Sequence, residues 1–138
     1  MKKVLWLFLL PLVLFGADLN PQMQKYMEEL AKQAKQENPD FKGFDYKRGE
    51  KIFTSTHIGK RGKPISCVSC HTSDLTKEGK NINTGKVLPP LSPQANPKSI
   101  TKVKKVKKWL KRNFKDVYNR VGTAQEKGDA IVYIVNKK

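Results

Sequence analysis

Cysteine, histidine, methionine and acidic side chains are all scarce in this chain. Its 138 residues include 2 Cys, 2 His and 3 Met, and 12 Asp+Glu stand against 28 Lys+Arg, a formal net charge of +16. Two cysteines exclude a scaffold held by several disulfides. Only one long apolar run is present, which excludes a polytopic membrane protein, and no internal repeat is visible. Hydrophobic residues make up 38% of the chain, below the ~45–50% usual for a globular domain, a count that includes Gly. Apolar side chains alone would build a modest core, and a further group is expected to help fill it.

What is there begins with an export pattern. Met1-Lys2-Lys3 is a short basic segment, and Val4 to Phe15 is apolar apart from Pro11. A spanning helix needs roughly 20 apolar residues, so this run is too short and reads as a secretory signal, residues 1–17, cut after Ala17. Gly16-Ala17 is a poor cleavage site, which keeps an uncleaved membrane anchor through residues 4–15 as the alternative. Either way the functional part is exported, with the periplasm as the expected location, and export argues against a nucleic-acid role despite the charge. That charge is uneven: residues 98–138 hold 13 basic and 3 acidic side chains, a net +10. An acidic partner would be felt there.

Apolar spacing predicts an all-α protein. Met23, Tyr26, Met27, Leu30, Ala31 and Ala34 recur at three and four residues within Pro21 to Gln36, a helix ended by Asn38-Pro39. A second short helix runs from Asp45, its N-cap, to Phe53. Val103 to Val117 carries Val106, Trp109, Leu110 and Val117 on one side and seven cations on the other. Thr123-Ala124-Gln125-Glu126 is a capping box opening a last helix to about Asn136. Residues 54–64 and 81–97 read as loops, the latter extended by Pro89, Pro90, Pro93 and Pro97. The expected organisation is a helical extension at 18–44 and a domain at 45–138.

The strongest chemical signal is Cys67-Val68-Ser69-Cys70-His71. C-x-x-C-H is the attachment site of a c-type haem: two thiols on one turn reach the two vinyl groups of one porphyrin edge, and the next residue offers an imidazole to the iron. A thioredoxin-like dithiol would need a βαβ context that is missing here. A zinc site of Cys67, Cys70, His71 and His57 has four donors, but adjacent Cys70 and His71 fit one tetrahedral ion awkwardly. The export signal and the helical pattern both favour one covalent haem, with His71 as proximal ligand.

The iron's other face is less determined. An ordinary one-haem cytochrome places a Met there, downstream of the haem motif, and no Met follows Cys67. His57, Asn113, a Lys or water remain. Asn113 interrupts an apolar stripe, where a polar side chain must find a partner. A hydrogen bond to a loop backbone would serve as well as ligation. His57 is a candidate ligand, a donor to a haem propionate, or a solvated loop residue.

Val87 to Pro97, Lys108-Trp109-Leu110-Lys111-Arg112-Asn113, Asp116-Val117, Arg120 and Thr123 to Asp129 resemble the sphaeroides-haem-protein family of class I c-type cytochromes. The likeness covers roughly residues 45–136 and includes Cys67 to Thr72 and Thr84-Gly85-Lys86. It implies a few helices packed around one haem, Asn113 as a weak distal ligand, and Trp109 beside the cofactor. It also implies that the Asn leaves on reduction and opens the iron to oxygen or nitric oxide. Partners of that family are a dihaem c-type cytochrome and a membrane b-type cytochrome. Phe114 and Val121 stand where family members carry a cysteine pair, so behaviour that depends on that disulfide is not expected. Helix 21–36 lies outside the likeness, with Met23 and Met27 expected to pack rather than ligate.

The function expected is one-electron transfer, with small diatomic ligands reaching the reduced haem, and no catalytic turnover. A gas-binding or sensing module, and a small haem enzyme reducing oxygen or nitric oxide, are the alternatives. Docking of an acidic redox partner on the basic helix is expected, with contact to anionic lipid as a further possibility.

Overall fold

A computed structural model describes residues 19–138, and the signal segment read at 1–17 lies outside them. Helix α1, Pro21–Glu37, starts where the Asn20 side chain accepts a hydrogen bond from the Met23 N–H at 2.9 Å, with Pro21 in the first turn. Of its apolar stripe, Met23, Tyr26, Met27, Leu30 and Ala34 are buried and Ala31 is half-buried. The two methionines are core residues, as their spacing indicates.

Helix α2 spans Tyr46–Thr54, capped by Asp45, whose side chain accepts from the Arg48 N–H at 2.8 Å. Helix α4 spans Val103–Tyr118 and stops at Asn119, which takes the left-handed conformation. Helix α5, Ala124–Asn136, opens with the capping box read from the sequence: Thr123 accepts from the Glu126 N–H, and Glu126 accepts from the Thr123 N–H.

Helix α5 is the axis of the fold. Its Ile131 and Val135 join Met23, Met27, Leu30 and Ala34 of α1 and Val106 of α4 in one buried cluster. Its Tyr133 and Ile134 join Phe53 of α2 and Leu75 in a second. Ile100, with a φ of +53°, packs against both clusters. The α2–α5 crossing is close because Gly49 lies directly on the α5 backbone: a Cβ there would sit 2.1 Å from the Asp129 carbonyl oxygen.

Two elements depart from an all-α reading. Strands β1, His57–Ile58, and β2, Pro64–Ile65, pair antiparallel, with His57 opposite Ile65. Strands β3, Gly79–Lys80, and β4, Val87–Leu88, do the same. Both fall partly or wholly in segments read as loop, since ladders two residues long are too short to show alternation. The proline segment is also less extended than expected. Pro93 and Pro97 each begin a turn, closed by the bonds Ala95 N–H to Ser92 O and Ser99 N–H to Asn96 O, because proline's fixed φ suits the second position of a turn. The other regular elements among the described residues are helices, and none of these is long and apolar enough to cross a membrane.

Candidate haem site

Cys67 to His71 form a single helical turn. Helix α3, Val68–His71, follows Cys67, whose backbone is already helical and whose carbonyl accepts the His71 N–H at 3.1 Å. Ser69 closes the turn from inside, since its hydroxyl accepts the Ser66 N–H at 2.9 Å. Thr72 ends it with a φ of +64°, a conformation that a β-branched residue seldom adopts. Its hydroxyl donates to the Asp74 carbonyl at 2.7 Å. Strand β3 presses on the turn from outside: a Cβ on Gly79 would lie 2.0 Å from the Cys70 carbonyl oxygen. The geometry therefore places two thiols and an imidazole together on a turn held from both sides.

Burial sets the protonation of both kinds of side chain: the first thiol stays protonated and the imidazole stays neutral. Both cysteines are free. Burial, reinforced by the neighbouring Cys70, pushes the Cys67 thiol up to about 12. Burial lowers the His71 pKa below the usual imidazole range. The imidazole is therefore neutral near pH 7, the form that binds a metal. Cys67 and Val68 pack against the second core cluster, and the His71 ring lies 6.2 Å from that of Phe53. No group of three or more His, Cys, Asp or Glu residues is arranged to hold a metal ion among the described residues, so the zinc alternative has no supporting cluster.

The remaining candidates sit on other elements. Asn113 is half-buried in α4, next to buried Phe114, and its side chain makes no hydrogen bond among the described residues. The alternative in which it bonds a loop backbone is not what the fold contains. Trp109, one turn earlier, is 39% exposed and has the Arg112 guanidinium 5.4 Å over its ring. His57 is not a solvated loop residue. It belongs to β1, its ring lies 4.1 Å from that of Tyr118, and its Nε2 is buried without a partner among the described residues.

Tyr118 is a residue that sequence reasoning did not single out. Its hydroxyl donates to the Ile52 carbonyl at 2.7 Å. Its pKa is raised to about 12, first by burial and then by the charge of Cys67. Tyr118 thus links the His57 ring to α2. Its position four residues after Phe114 on the α4 stripe was the available signal.

These residues fit a haem. Thiols and a neutral imidazole on one turn would supply its attachment and a ligand to its iron. An unpartnered buried ring nitrogen costs ~1–3 kcal/mol unless something accepts from it or donates to it, and His57 Nε2 is such an atom. Asn113, a half-buried residue, adds a side-chain amide that makes no hydrogen bond among the described residues.

Comparison with known proteins agrees. Residues 39–134 match the family described as "Domain of unknown function (DUF1924)". The chain is 39% identical over 90 residues to the cytochrome c-type protein SHP of Cereibacter sphaeroides, covering 65% of this chain and 69% of that protein. It is 32% identical over 100 residues to cytochrome c'' of Methylophilus methylotrophus, covering 72% and 69%. The structure of oxidised SHP, described as an oxygen-binding cytochrome c, superposes with a TM-score of 0.73 at 32% identity, covering 87% of this chain and 99% of that one. The solution structure of cytochrome c'', described as giving insight into haem-ligand detachment, superposes with a TM-score of 0.73 at 29% identity, covering 84% and 94%.

Proposed function

Because this chain belongs to the DUF1924 family of SHP-like c-type cytochromes, we propose that it is an exported one-electron carrier whose reduced haem also takes up a diatomic gas. The haem, held by Cys67, Cys70 and His71, supplies a one-electron couple and, when ferrous, an affinity for small neutral ligands. The observation that carries the gas-binding half is Asn113, a half-buried residue whose amide makes no hydrogen bond among the described residues, on a helix that follows a haem motif with no later methionine.

An amide oxygen is a weak donor to ferrous iron compared with thioether sulfur or imidazole nitrogen, so Asn113 is suited to hold the distal position only while the iron is oxidised. The descriptions of the two relatives, one oxygen-binding and one concerned with haem-ligand detachment, support this reading. His57 has a separate role as a buried hydrogen-bonding group for a haem carboxylate. Acid–base turnover is not part of the proposal, since peroxidase-type chemistry wants a distal pair and only His57 remains to supply one.

Optical spectra of the purified protein, oxidised and reduced, with and without carbon monoxide, test the proposal. We expect a c-type spectrum that changes on adding carbon monoxide only after reduction. A reduced spectrum indifferent to carbon monoxide would leave a carrier and remove the gas-binding half. Steady turnover of oxygen or nitric oxide with an artificial donor would replace the carrier with an enzyme.

A further inference from the structure

The cations of α4 become unequal once the chain is folded. On the flank toward α1, Lys107 pairs with Glu29 at 3.7 Å and sits 4.7 Å over the Tyr26 ring. On the other flank the turn between β1 and β2 reaches the helix. The Lys60 N–H donates to the Asp116 carbonyl at 3.0 Å, and a Cβ on Gly59 would lie 2.3 Å from that same oxygen. This contact brings Lys60 and Arg61, remote in sequence, to Lys108, Lys111 and Lys115 around a groove of about 530 Å³.

The groove is almost free of compensating charge. Its one acid, Asp116, is engaged by Arg112 at 3.8 Å. Lys60, Arg61, Lys108, Lys111 and Lys115 are exposed and form no ion pair among the described residues. Cations gathered this closely repel one another, and a facing acidic surface relieves that repulsion. Trp109, partly exposed beneath Arg112, adds the residue pair most enriched at interface hot spots. An anionic lipid surface fits less well, because Val106, Phe114 and Val117, the apolar side of α4, are already buried in the protein.

We infer that the groove between the 59–63 turn and α4 is the docking site of an acidic electron-donor protein. Its carboxylates meet Lys60, Arg61, Lys108, Lys111 and Lys115, and Arg112 with Trp109 forms the rim. The donor is oxidised by one electron, the haem is reduced by one, and no bond is made or broken between the proteins. The inference rests on the carrier reading above. Docking there sets the donor against the helix that bears Asn113.

The test uses the haem-loaded protein and flavodoxin, an acidic one-electron donor, as the probe. Stopped-flow reduction by reduced flavodoxin is followed at low and high salt. Lys60→Glu with Arg61→Glu, and separately Lys108→Glu with Lys115→Glu, should each slow reduction at least about tenfold at low salt, with the difference shrinking at high salt. Lys25→Glu with Lys32→Glu, on the exposed face of α1, makes the same change in net charge and should cost less than about threefold. Equal losses in all three variants would overturn the site in favour of a response to net charge alone.

Binding is read independently from amide-resonance shifts on adding oxidised flavodoxin. Shifts at 60–61 and 108–115 without electron transfer would keep the surface and remove the carrier reading. An absence of shifts there would overturn the inference. So would groove-dependent sedimentation with anionic phospholipid vesicles when flavodoxin produces no shifts.

Discussion

Asp129, only 1% exposed, holds the Arg48 guanidinium at 2.8 Å and so ties α5 to α2. The same carboxylate accepts the Asp45 N–H at 2.7 Å, and Arg48 also donates to the Gly43 carbonyl at 2.7 Å. One buried acid therefore fixes both the start of α2 and the loop before it. Burying a carboxylate is costly unless it is paired and hydrogen-bonded. Arg48→Met leaves Asp129 with a single N–H and should cost about 2–3 kcal/mol by chemical denaturation of the haem-loaded protein. Arg48→Met combined with Asp129→Asn should cost clearly less than the sum of the two single changes, because the stranded charge is gone.

Gly49→Ala should be more damaging than its size suggests. The added methyl would meet the Asp129 carbonyl oxygen at 2.1 Å and its carbon at 2.8 Å. Neither is a side-chain end that can swing away, so α2 and α5 must part. Overpacking of this kind costs about 1–3 kcal/mol or more. A lower melting temperature with an unchanged haem spectrum is the expected outcome.

Haem attachment can be separated residue by residue. Cys67→Ala or Cys70→Ala alone should leave haem bound through one thioether after denaturation. The double variant should release all of it into acidic acetone. A colourless, cooperatively folded wild-type protein binding one zinc would contradict the site.

Asn113→Ala should convert the oxidised haem to a high-spin or water-ligated spectrum and speed carbon monoxide binding to the reduced form. Asn113→His should give six-coordinate, low-spin iron and suppress gas binding. His57→Ala should change the spectrum little. If His57→Ala produces the conversion instead, the distal ligand is His57 and the protein is a bis-histidine carrier.

The Arg120–Glu126 pair makes a pH-dependent contribution. The hydrogen bond from Arg120, opposed by burial and aided by the Thr123 N–H, holds the Glu126 carboxyl below its ordinary value of 4.5. A carboxyl that is more acidic folded than unfolded stabilises the fold above its unfolded pKa. It loses that contribution as pH falls through the folded value. Glu126→Gln should therefore cost about 0.5–1 kcal/mol near pH 7. The difference from wild type should fade as pH drops below 4.5, measured by denaturation across that range.

Where local chemistry fixes an element, the sequence was enough. Asp45, Thr123 with Glu126, and the break at Asn38-Pro39 mark helix ends through hydrogen bonds made within a few residues. The haem turn was legible for the same reason, since Cys67, Cys70 and His71 are neighbours in the chain. What stayed hidden depends on distant contacts. The pairing of His57 with Ile65, the stacking of His57 on Tyr118, and the arrival of Lys60 beside Asp116 have no local signature. The positive φ angles at Thr72 and Ile100 run against the preferences of those residues, so only the assembled fold can impose them.

The division of the core along α5 has a consequence for the haem-free protein. The cluster shared by α1, α4 and α5 contains neither Cys67 nor Val68, and both of those pack on the other side of α5. That half of the interior is built without the cysteine turn, and it is expected to hold together in the haem-free protein. Amide exchange should then show α1 and α4 protected with or without haem, and the Cys67–His71 turn protected only once haem is attached.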